Sequence, residues 1–198
     1  MNRIRFDQWM SAIAIVSLAL ALAIACSASG WTPRHALALP GTQEMPGHRI
    51  FNLLGFGVPG VALLSAALQR RWRSRDQSGM VAGIGLWLCA IAALAWTALG
   101  IFPIDAGDLA GEGSQHHAAL WMVWLIAASA AFVASAICVK AAARGIAVVV
   151  AALWLIVVLV LPPLIGGWAQ VAAATAWMAW PWLRSSGEGD HPEAPLGD

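Results

Sequence analysis

Long apolar runs alternate with short polar interruptions along this chain, and the lengths of the runs predict membrane-crossing helices. Between Asp7 and Arg34 lie twenty-six residues without a Lys, Arg, Asp or Glu. A helix needs about 20 apolar residues to cross a hydrocarbon core about 30 Å thick, so a first helix is expected over 9–31. Ala25-Cys26-Ser27-Ala28 also resembles a small-residue cleavage site. The run is nevertheless longer than the roughly 7–15 apolar residues of a secretory leader, which favours an uncleaved anchor. Residues 32–49, interrupted by Pro33, Pro40 and Pro46, read as an extended, turn-rich loop. A second helix is expected over 50–69, kinked or thinned at Pro59, with Gly55, Gly57 and Gly60 around it. The basic run Arg70-Arg71-Trp72-Arg73-Ser74-Arg75 closes it. A third helix, 79–102, opens with Gly79 and Gly83 at a spacing that lets helices approach closely.

The next interruption is a polar island, FPIDAGDLAGEGSQHH, over 102–117. Pro103 stops the run before it, and Gly107, Gly111 and Gly113 keep it from continuing as helix. Ser114 is the expected N-cap of a fourth helix over 117–139. From Gly145 to Leu183 there are thirty-nine residues without a charge. As one helix these would measure about 58 Å at about 1.5 Å per residue, nearly twice the core thickness. Pro162-Pro163 and Gly166-Gly167 divide the run into helices over 146–164 and 167–183, joined by a tight hairpin. The acidic, Gly- and Pro-containing tail, 184–198, is expected to be disordered. The fold class is therefore all-α: a polytopic bundle of six transmembrane helices over 1–183, with a cytoplasmic tail.

Composition agrees with this pattern. Sixty per cent of the residues are hydrophobic, 11% are charged and the mean hydropathy is +0.73, where a soluble domain carries roughly a quarter charged residues. A net charge of +1 leaves no basic excess for nucleic acid. Cys26, Cys89 and Cys138 all lie in apolar runs and read as small buried hydrophobes rather than a disulfide framework. Charge distribution adds orientation. Nine of the eleven Lys and Arg fall on the N-terminal side of the six expected spans, and only Arg34 and Arg49 fall on the other. The positive-inside rule then places both termini in the cytoplasm. Trp9, Trp72, Trp180 and Trp182 are expected near the inner boundary, and Trp31, Trp121 and Trp168 near the outer one.

That topology gathers His35, His48, His116 and His117 on the extracytoplasmic face with Glu44, Asp105, Asp108 and Glu112. Imidazole and carboxylate together can hold a metal or serve as acid and base. His48, Arg49, Asn52, Asp105, His116 and His117 are the candidate ligand-binding residues, and His48, His116, His117 and Asp105 the candidate metal ligands. Neighbouring histidines on a helix point about 100° apart, so His116 and His117 share one site only if His116 belongs to the loop. Solvated interface residues are the plain alternative. Asp105, two residues after Pro103, is expected to turn inward and pair with His117, His48 or Arg49. No ionisable residue falls at mid-depth of any expected helix, which argues against an ion-coupled carrier. Asn52, Thr97, Gln170 and Thr175 are left to bond between helices or line a pocket. The arginine run suits anionic lipid. No phosphate loop, CxxC, HExxH or GxSxG is present, and the sequence names no cofactor.

Two segments carry a family resemblance: PGHRIFNLLGFGVPGVALLSAAL, and GIFPIDAG with HHAALWMVWLIAASAAF after it. They resemble the bacterial domain-of-unknown-function family 998, a group of six-helix membrane proteins. The matching positions are Asn52, Gly55 and Phe56, then Phe102, Pro103 and Asp105, then His116 or His117. The Ser-Glu pair usual before the second helix is not evident here; Thr42-Gln43-Glu44 stands near it. The resemblance covers roughly 9–183 and implies the six-helix fold without an agreed activity. More distantly the chain is similar to Frag1/DRAM/Sfk1-type six-helix proteins, some of them tied to lipid handling. The leading expectation is an extracytoplasmic face that binds a lipid headgroup, small ligand or metal, with membrane lipids as partners. A second is a membrane enzyme acting on a lipid or isoprenoid with Asp105 and His117 as acid and base. A third is a non-catalytic scaffold. Oligomeric state is not read from the sequence.

Overall fold

The computed structural model describes residues 6–74, 79–138, 141–159 and 166–180. Among these residues the regular elements are all helical. They are α1 (Phe6–Ser29), α2 (His48–Arg73), α3 (Met80–Leu99), α4 (Glu112–Cys138), α5 (Ala141–Leu159) and α6 (Gly167–Met178). A 3-10 turn, Leu39–Gly41, lies in the loop before α2. Helices α1 to α4 are each long and apolar enough to cross a membrane. The hairpin expected at Pro162-Pro163 and the tail over 184–198 lie outside the described residues.

The helices bury small side chains and expose large ones. In α1, Ser11, Ala14, Leu18, Ala21 and Ala25 recur at helical spacing and face inward, while Ile13, Val16 and Leu20 face out. This suits a bilayer, where lipid tails are as apolar as Leu and close backbone approach drives helix association. Gly60 makes the tightest crossing. A Cβ there would stand 2.8 Å from the Ala93 carbonyl oxygen and 2.7 Å from the Thr97 nitrogen, so α2 and α3 touch backbone to backbone. Gly85 repeats this less tightly, with Ala134 of α4 at 3.2 Å. The expected pair Gly79 and Gly83 does not perform this role. A side chain at Gly79 would meet open space, and one at Gly83 would meet only the Arg71 guanidinium, 3.9–4.0 Å away.

Each helix packs on its predecessor, and α6 also touches α1. At the centre, Trp96 of α3, Trp124 of α4 and Trp177 of α6 meet with ring centroids 4.9–5.8 Å apart. Phe56, Trp121 and Trp154 extend the cluster.

Pro59 reshapes α2. The turn before it, Asn52–Gly57, is a π-helix in which the Val58 N–H bonds to the Leu53 carbonyl. That frees the Leu54 carbonyl, and Pro59 has no N–H to offer Gly55. Both orphaned oxygens are taken from neighbouring helices. The Ser17 hydroxyl donates to Leu54 at 2.7 Å, and the Trp96 indole to Gly55 at 3.0 Å.

Two ends can be distinguished. At one, Arg70 bonds to Asp7 at 3.0 Å, and the Ser11 hydroxyl donates to the Met178 carbonyl. At the other, the loop after α1 and the turn after α3 lie together. Several expectations change in this frame. Helix α2 starts at His48 and runs on through Arg73, because nothing in the arginine run breaks a helix. Helix α3 ends at Leu99, before Gly100. Helix α4 starts at Glu112, so Ser114 sits inside its first turn. Cys26 and Cys138 are exposed on helix flanks, and only Cys89 is buried. Trp31 is buried, its indole donating to the Ala36 carbonyl at 3.1 Å, and Trp180 is buried too. Trp9, Trp72 and Trp168 are exposed.

Candidate functional site

At the loop end a groove of about 570 Å³ lies between the start of α2 and the end of α3. Its polar wall comes from Gln43, His48, Arg49 and Asn52. Leu53, Gly57 and Thr97 continue it along the helices, and Gly100, Ile101 and Pro103 close the far side. Leu53 is 60% exposed and Ile101 67%, so two large apolar side chains flank the opening.

Local sequence explains why the groove forms. Asn52 is buried, and its Nδ2 donates to the Gly41 carbonyl at 2.9 Å, which holds the α1–α2 loop against α2. Gly41 lies so close that any Cβ there would collide with the Asn52 Oδ1. Opposite, a Cβ on Gly100 would stand 2.7 Å from the Asn52 carbonyl oxygen and 3.1 Å from the Phe56 Cβ. The chain leaving α3 therefore lies directly on the π turn. The Thr97 hydroxyl donates to Ala93 within its own helix at 2.9 Å, so its proton is not offered to the groove. At His48, Nδ1 stands 3.2 Å from the Met45 carbonyl. A carbonyl only accepts, so Nδ1 carries the proton, and Nε2 is left for other contacts.

Three of the six candidate residues thus share the groove: His48, Arg49 and Asn52. The other three do not. Asp105 is exposed, and its Oδ1 accepts from the backbone N–H of Gly107 at 2.9 Å and of Asp108 at 3.2 Å. An Asp one residue before a small turn readily folds back on the backbone in this way. Among the described residues Asp105 makes no ion pair with a histidine or with Arg49, so the expected inward pairing is not formed. His116 is exposed, with its ring 5.4 Å from that of Phe102.

His117 lies elsewhere again. One step round α4 from His116, it falls on the stripe Ser114, His117, Trp121 and Trp124 that turns inward, and it is only 4% exposed. Its Nδ1 donates to the Phe102 carbonyl at 2.8 Å, and its ring meets Phe56 edge-on at 6.2 Å. Nε2 is buried with no hydrogen-bond partner among the described residues. Both histidines are helical and diverge as their adjacency requires, so they do not share a site. Among the described residues no three His, Cys, Asp or Glu side chains gather as a metal would need; His48, His116, His117 and Asp105 do not converge.

Ser114, expected as a cap, instead ties the island down. Its hydroxyl accepts from the Asp105 N–H at 3.1 Å and donates to the Asp108 carbonyl at 2.9 Å. Gln170 holds the other loop, accepting from the Leu37 N–H at 2.7 Å. Thr175 bonds within its own helix. Sequence reasoning did not single out Gly41 and Gly100, whose tight approaches shape the groove. It also overlooked Ser11, Ser17 and Ser129, which accept or donate bonds between helices.

Five of the positions compared with family 998 form one connected group, and Asp105 stands apart in its own turn. Asn52, Gly55 and Phe56 lie on the π turn, Phe56 touches Trp96 and His117, and His117 holds Phe102. No family model matches the chain, and no curated protein or solved structure matches it.

Proposed function

We propose that this is a six-span protein of a bacterial inner membrane, with both termini cytoplasmic, that binds a lipid in the groove between α2 and α3. The observation that carries the reading is the groove's amphipathic wall: Arg49, His48 and Gln43 at the end of the bundle, Leu53 and Ile101 at its opening. A lipid is polar at one end and apolar over the rest, and that gradient matches the gradient along the wall. The bias of Lys and Arg supports an extracytoplasmic position for the groove. Of the positions that resemble family 998, Asn52 and Pro103 line the groove, and that resemblance is part of the proposal. The acid–base alternative draws no support from the geometry, because Asp105 is bound into its own turn and His117 is sealed beside Phe56.

Gly57 supplies the test. A Cβ there meets only Leu53 Cδ1 at 3.6 Å and the Asn52 carbonyl at 3.7 Å, both ordinary contacts. Gly57→Leu should therefore fold and fill the groove. Native mass spectrometry of the detergent-released full chain should show one retained lipid on the wild type and none on the variant. An unchanged lipid adduct on Gly57→Leu would remove the groove from consideration. Orientation is tested separately: a reporter fused at Gly111 should read extracytoplasmic and one after Asp198 cytoplasmic, and the reverse result would invert the topology.

A further inference from the structure

Arg49 and His48 line the groove, and none of its lining residues is an Asp or a Glu. Among the described residues no carboxylate forms an ion pair with Arg49. Glu44, five residues before Arg49, is exposed and off the wall, and Asp105 accepts bonds from its own turn. A guanidinium in such a place offers five N–H donors in a planar fork that matches the oxygens of a phosphate. The groove's polar end also lies at the start of α2, where the helix dipole favours negative charge. The Thr97 hydroxyl proton is engaged with Ala93, and one of the two Asn52 Nδ2 hydrogens with Gly41. The groups left to recognise a headgroup are therefore Arg49, Gln43, His48 and the second Asn52 N–H.

Resting on the lipid-groove reading above, we infer that the ligand is a phosphate-bearing lipid whose phosphate sits on Arg49, with Gln43 and His48 beside it and an acyl chain against Leu53 and Ile101. A lipid is chosen over free phosphate because the cation and the apolar flank belong to one continuous groove. Diacylglycerol, with no phosphate, would use only the lower part of the site.

The test compares phosphatidic acid with diacylglycerol of the same acyl chains, two ligands that differ by the phosphate alone. Each is titrated into the delipidated full chain in neutral detergent and counted by native mass spectrometry. Phosphatidic acid should bind about tenfold more tightly, the scale of one charge-assisted contact. Arg49→Gln should bring the two lipids to parity, and Arg49→Lys, which keeps the charge but loses the fork, should retain part of the difference. Equal binding of both lipids to the wild type overturns the phosphate assignment while leaving the groove occupied. No binding of either lipid, with Gly57→Leu indistinguishable from wild type, overturns the groove itself. Displacement of phosphatidic acid by equimolar inorganic phosphate overturns the choice of a lipid in favour of free phosphate.

Discussion

At one end of the bundle Arg70 stands 3.0 Å from the carboxylate of Asp7, with both side chains only 10–12% exposed. At the other end of the same helix Arg49 lines an open groove whose walls carry no carboxylate. The two arginines share a helix but not a setting. Arg70 joins α1 to α2 in a place with little access to water, so its partner belongs to the fold. Arg49 is exposed and forms no ion pair among the described residues, so its partner is free to come from outside. A similar contrast separates the two histidines of α4. His117 is enclosed and bonded to the chain; His116 lies on the surface against Phe102.

The comparison can be broken at several points. The largest effect should come from the enclosed centre that both ends depend on. Trp96 is 0% exposed, touches three other indoles and Phe56, and donates to the carbonyl that Pro59 leaves open. Trp96→Ala should cost about 3–5 kcal/mol by removing a large core side chain, read as a lowered unfolding midpoint in detergent. A loss below about 1 kcal/mol would mean that the π turn is held by something else. Next comes the paired end. Asp7→Asn removes one charge from a largely buried ion pair and should destabilise by about 3 kcal/mol. Arg49→Ala, on the exposed side of the comparison, should change stability by less than about 0.5 kcal/mol. Were these two variants equally costly, the distinction between a structural and a receptive arginine would collapse.

Much of this architecture is legible in the sequence, because run length and interruption are one-dimensional signals. The uncharged run between Asp7 and Arg34 supplies most of α1, and Pro59 marks the irregular turn of α2. The groove is less legible. It depends on Gly41 and Gly100 approaching Asn52 from two directions, and a glycine in a Gly-rich chain does not announce which helix will cross it. Helix phase is equally hard to read from residue type alone. His117 belongs to the inward stripe with Trp121 and Trp124, so a polar residue in a polar island is drawn into the interior by the residues one and two turns later. Asp105 misled for a different reason: two backbone N–H groups close by in sequence satisfied it before any distant histidine could.

The π turn has one further consequence, for evolution rather than for binding. A π turn carries one residue more than the α-helical turn it replaces, which rotates everything before it by about 100° relative to everything after it. In α2 the rotated part is His48–Phe51, and the part that keeps its phase is Val58–Arg73. Arg49 and Arg70 thus owe their relative bearing around the axis to that extra residue as well as to their spacing. Losing any single residue from 52–57 would restore an even helix, leave the Asp7 contact in phase and swing Arg49 away from the turn after α3. A groove of this kind can be gained or lost in one codon, and where that codon is Leu54, Gly55 or Phe56 every residue that lines it is still encoded.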